Sequence, residues 1–170
     1  MNNRELIAEL TELIFEHMQY VFDIGVEEKR FKHVSFIAPV DKHNAKRIEV
    51  LNYLKEKILG TPSSPSDNNP ERIELGWGMV VTCNKGKKAS PYNIEISPNT
   101  KAMNTVEQLC LLYKNVSATE THVALIPPVA RRVLEEKFQF CHAKDVHVAI
   151  GKAMYVVAKQ IAEEWVLNLS

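Results

Sequence analysis

The chain has 170 residues, 45% apolar and 25% charged, which is an ordinary balance for a folded domain and excludes wholesale disorder. Its 21 basic and 21 acidic residues cancel, with no third of the chain polarised. The basic footprint of a nucleic-acid binder and the basic stripe of a membrane-surface binder are therefore both missing.

The first predicted element is a helix over residues 4–22. Leu6, Ile7, Leu10, Leu13, Ile14, Met18 and Val21 recur at helical spacing. The stripe is wide enough to serve more than one neighbour, and Gly25 is expected to end the helix. Residues 31–38 read as a strand, closed by Pro39 and Asp41. Phe31, His33, Ser35 and Ile37 fall on one face, and Val34, Phe36 and Ala38 on the other. Two largely apolar faces suggest an inner strand.

Asp41 suits the N-cap of a second helix over residues 42–59, with Gly60 past its end. Residues 61–70 are rich in Pro, Ser, Asp and Asn and are expected to form a mobile surface loop. Residues 71–83 alternate as one half-buried strand. Ile73, Leu75, Trp77, Met79, Val81 and Cys83 share its apolar side. Residues 84–91 then turn the chain, and Tyr92, Ile94 and Ile96 mark the returning strand of a β-hairpin.

A third helix is predicted over 104–114, opened by Asn104 with Glu107 three residues later. Residues 121–126 read as a short strand. Pro127-Pro128 opens a fourth helix, and a last one runs from Asp145 to about residue 167. The expected architecture is α+β, a single globular domain over residues 1–170. It has a small, mostly antiparallel sheet of three to four strands with a central β-hairpin, packed with about five helices.

Cys83, Cys110 and Cys141 are odd in number and widely spaced, a pattern of free thiols in a reducing compartment and not of a disulfide framework. The opening residues do not resemble a signal peptide, since Glu9, Glu12 and Glu16 interrupt any apolar run. The most apolar stretch, 146–158, contains Lys152 and is too short to span a bilayer. The expected location is cytoplasmic, without membrane contact.

Candidate chemistry is sparse. The segments 33–40 and 122–129 match at five of eight positions, which suggests a duplicated unit. His33-Val34-Ser35-Phe36 resembles one of the two His-apolar-Thr/Ser-apolar strand motifs of the two-histidine phosphoesterases. That resemblance implies a phosphodiesterase in which His33 and His122 act as general acid and base and Ser35 holds the phosphate. The second copy departs from the pattern, because Ala124 stands where the hydroxyl should be.

Cys141, His142 and His147 are of zinc-ligand type, but their spacing fits no paired zinc pattern, and no metal or other cofactor is expected. No phosphate-cradling glycine loop or nucleophile elbow is present. Gly76-Trp77-Gly78 bares the backbone beside a large ring, where a flat ligand or a packing helix could approach. Lys85, Lys87 and Lys88 crowd the hairpin tip and, with Arg131 and Arg132, could meet an acidic partner, but three lysines at a turn are more often a solvated tip, and the lack of stacking aromatics argues against single-strand binding. With no catalytic set complete, and with wide apolar faces on the first and last helices, the leading expectation is a small binding protein without catalysis, acting as a homodimer. The alternative is the phosphodiesterase built on His33, Ser35 and His122.

Overall fold

The computed structural model describes residues 1–28, 30–59, 72–84, 89–114, 127–138 and 143–169. In chain order the elements are α1 (Asn3–Glu27), β1 (Phe36–Val40), α2 (Ala45–Leu59), β2 (Arg72–Gly76), β3 (Met79–Cys83), β4 (Tyr92–Ile96), α3 (Thr100–Lys114), α4 (Pro128–Phe138) and α5 (Ala143–Asn168). The fold is α+β. Among the described residues it has five helices and one four-stranded antiparallel sheet in the order β1-β4-β3-β2. The expected mobile loop at 61–70 and the expected strand at 121–126 lie outside the described residues.

Helix α1 begins where Asn2, in an extended conformation, accepts the Glu5 N–H through its side-chain oxygen at 2.8 Å. This satisfies one of the donors that every helix start leaves open, and Glu5 also places a negative charge at the positive end of the helix dipole. The helix does not stop at Gly25, as the sequence suggested. It runs on to Glu27, and the Glu28 N–H closes it onto the Ile24 carbonyl at 2.9 Å. Gly25 is buried inside the last turns, where an added Cβ would lie 2.8 Å from Cys110 Sγ. It is there to let α3 approach.

Two other helix starts are displaced for a common reason, namely that a second capping residue stands nearby. Asp41 makes a local turn, accepting the His43 N–H at 2.8 Å, and Asn44 caps α2 through the Arg47 N–H at 3.0 Å. Asn99, and not Asn104, caps α3, accepting the Ala102 N–H at 3.0 Å. Pro128 occupies the first position of α4, where its missing N–H costs nothing.

The sheet corrects two expectations. Residues 71–83 do not form one strand but fold back at Gly76-Trp77-Gly78 into β2 and β3. All three turn residues have positive φ, at 83°, 55° and 76°. A bulge between Glu74 and Gly76 keeps Leu75 and Met79 on the same face, so alternation reads straight through the reversal. The hairpin predicted between this segment and residues 92–96 is present as β3–β4, with Met79 opposite Ile96 and Cys83 opposite Tyr92. Segment 31–38 is also not an inner strand. Only Phe36–Val40 is strand, and it is an edge. Pro39 therefore lies within β1, because an edge strand can do without one N–H.

The inner face of the sheet carries Ala38, Val40, Leu75, Met79, Val81, Ile94 and Ile96, all buried. They join one apolar cluster with Leu6, Leu10, Leu13, Met18 and Val21 of α1, Leu51 and Leu54 of α2, and Ile150, Val157 and Ile161 of α5. Helix α1 packs most extensively against α5 and next against α3, while α4 packs on α5. Small residues make that closeness possible, since Ala149, Ala153, Ala158 and Ala162 are all buried along α5. The outer face of the sheet is mixed, with Ile37 59% exposed opposite Glu95, and Glu74 exposed on the far edge strand. Among the described residues no helix is long and apolar enough to cross a membrane.

Candidate functional site

His33 and Ser35 are both exposed and precede β1, so strand alternation does not align them. The His33 ring meets Phe31 edge-on at 5.4 Å. His122 lies outside the described residues, as do Ala124, Cys141, His142, Lys85, Lys87 and Lys88. His147, the remaining zinc candidate, packs against the rings of Phe22 and Tyr113 at 6.2 and 5.7 Å. Among the described residues no group of three or more His, Cys, Asp or Glu could hold a metal ion.

The histidine that sequence reasoning missed is His17. It is buried on α1 and donates from Nε2 to the Val34 carbonyl at 2.8 Å, with its ring stacked on Phe36 at 5.9 Å. Burial lowers its pKa from 6.5, and the Val34 bond opposes this only in part. Its position among Leu13, Ile14, Met18 and Val21 gave no signal beyond that of a core residue.

Gly76, Trp77 and Gly78 form a turn, and the Trp77 ring lies flat on Trp165 of α5, 5.0 Å between centroids and 7° from parallel. Trp77 is the only described non-glycine residue with positive φ. A bulky side chain in that region is strained, and the stack on Trp165 holds it there. Ser97 donates its N–H to the Gly78 carbonyl at 2.9 Å, binding the turn to the end of β4. One face of the Trp77 ring is thus taken by the protein itself.

Two thiols behave differently. Cys110 is buried, with Sγ 3.6 Å from the Phe22 carbonyl, and burial pushes its pKa up to about 12. A thiol that resists ionisation is a poor nucleophile. Cys83 is exposed at the end of β3. Near it Lys55 sits 4.9 Å over the Tyr92 ring, and burial lowers the lysine pKa against the opposing pull of Cys83.

A groove of about 440 Å³ runs along the outer seam of α1 and α5. Ile7, Ala8, Thr11 and Tyr155 form its floor. Arg4, Lys159 and Glu163 stand around it, and none of the three has an ion-pair partner among the described residues. Neighbouring charges do have partners, with Lys101 meeting Glu164 at 3.1 Å and Lys46 meeting Glu5 at 3.4 Å. Beside the groove α5 exposes Val148, Tyr155 and Leu167. This combination of apolar floor, exposed large side chains and uncompensated charge makes the seam the candidate binding face.

The chain matches no family model, no curated protein and no solved structure.

Proposed function

We propose that this protein works by binding, without catalysis, and acts as a homodimer through the α1–α5 seam. The observation that carries the reading is the groove, whose apolar floor is bounded by three charges that have no ion-pair partner among the described residues. Much of the wide apolar stripe on α1 and α5 is already used inside the chain, against α3, α4 and each other. Of the large apolar side chains these two helices leave exposed, Tyr155 lines this seam. Balanced charge supports a protein partner over nucleic acid. The free thiols of Cys83 and Cys110 support a cytoplasmic setting. Light scattering over a concentration series tests the reading: a mass of two chains is expected, and one chain at every concentration sinks it.

The phosphodiesterase reading keeps a single support, the solvent access of both His33 and Ser35. Its test is turnover of a chromogenic phosphodiester by the purified protein, with loss of that turnover in His33→Ala as the required result.

A further inference from the structure

Gly151, Tyr155, Lys159, Glu163 and Leu167 follow one another at four-residue steps along α5. Such a row is a ridge of the helix surface, inclined to its axis. Tyr155 is 39% and Leu167 74% exposed, and Lys159 and Glu163 between them are exposed as well. Gly151 leads the row with nothing within 4 Å of where a Cβ would be. The whole ridge therefore faces outward, with the groove at its side.

Lys159 and Glu163 are four apart and of opposite sign, yet they form no ion pair with each other. Lys preceding Glu is the weaker order for a pair at this spacing. Their charges are left available to something outside the chain.

Read backwards, the row from Tyr155 to Leu167 has the same character: apolar, charged, charged, apolar. Only the signs of the two charges are exchanged. That is the signature of a surface complementary to its own reversed copy, as a two-fold axis requires. We infer that two copies of this chain pair through α5, crossing antiparallel about an axis between Lys159 and Glu163. Lys159 then faces the partner's Glu163, and Glu163 faces the partner's Lys159. Tyr155 meets the partner's Leu167, and Leu167 the partner's Tyr155. Ridges of this type pack side by side in the commonest class of helix crossing, inclined by roughly 50°. The groove beside each ridge takes the partner's ridge.

This inference rests on the homodimer reading and gives it a specific surface. The test is sedimentation of the wild-type protein, K159E, E163K and the K159E/E163K double variant over about a hundredfold range of concentration. Each single variant sets two pairs of like charges face to face and is expected to raise the dimer dissociation constant about tenfold or more. The double variant exchanges both signs, restores both pairs, and is expected within about threefold of wild type. A mixture of K159E with E163K should form heterodimers more tightly than either variant pairs with itself. If wild type dimerises while the single variants do so equally well, or the double variant stays as weak as the singles, the α5 surface is wrong and the homodimer stands. If wild type is monomeric throughout, the homodimer reading falls and this surface with it.

Discussion

Glycine appears in two regions of this molecule for opposite reasons. In α1, Gly25 has ordinary helical backbone but no room, because an added Cβ would meet Cys110 Sγ at 2.8 Å and the Phe31 ring at 3.0 Å. In the β2–β3 turn, Gly76 has nothing within 4 Å, but its φ is +83°. The helical layer is specified by how closely its surfaces approach. The sheet is specified by how its backbone turns. The same substitution, Gly to Ala, should therefore fail in the two places by different routes, and those routes can be separated.

At Gly25 two effects oppose each other. Alanine gains about 1 kcal/mol of helix propensity over glycine. Overpacking against α3 costs about 1–3 kcal/mol, and the sulfur is held in a core with little room to shift. Gly25→Ala should thus destabilise by up to about 2 kcal/mol on balance. Cys110→Ala removes the atom in the way. In a double-mutant cycle by urea unfolding, the pair should cost less than the sum of the single variants by about 1 kcal/mol. Strict additivity would show that Cys110 is not the obstacle.

At the turn the comparison can be sharpened within three residues. Gly76→Ala meets only the left-handed backbone, a cost of about 1 kcal/mol for an L residue. Gly78→Ala meets the same cost at φ +76° and in addition sets its Cβ 3.0 Å from Ser97 Cβ. Gly78→Ala is expected to be the worse of the two by roughly 0.5–1 kcal/mol. Equal losses would mean that Ser97 yields without cost. Neither variant should couple to Cys110→Ala, since an added Cβ at Gly25 meets Cys110 and Phe31, whereas the turn meets Ser97 and Trp165.

These cases also show what could be read from the sequence. Apolar spacing located the first, third and last helices, because burial follows the helical period wherever packing is continuous, while the second and fourth were legible only from their flanking Asp41, Gly60 and Pro127-Pro128. Their starts were less legible: Asp41 and Asn44, or Asn99 and Asn104, are equally good caps, and tertiary packing chooses between them. The reversal at Gly76-Trp77-Gly78 was hidden because the bulge preserves parity. That β1 is an edge is announced by Pro39, a residue that marks the end of a strand equally well. Of the candidate site, the four-residue ridge on α5 is visible in the sequence, but its exposure is not. Only the packing of α1 and α4 on α5 decides which of its faces stays outside.

The smallest expected effect joins the two regions, because His17 of α1 is bonded to the Val34 carbonyl just before β1. In the unfolded chain His17 titrates near 6.5, and in the fold burial lowers that value. Between the two values the unfolded chain holds more protons, so acid favours unfolding there. Stability contributed at this site is complete above pH 6.5. It falls as the pH drops through that value and levels off below the folded pKa. His17→Gln keeps a donor able to reach Val34 and removes the titration. Urea midpoints measured for both proteins from pH 8 to 5 should therefore converge, the wild type losing more than the variant on acidification. The exposed histidines, His33, His43 and His147, are common to both proteins and drop out of the difference. A gap that stays constant across the range would mean that protonated His17 is accommodated, and that the contact between α1 and the approach to β1 gives way before the ring is charged.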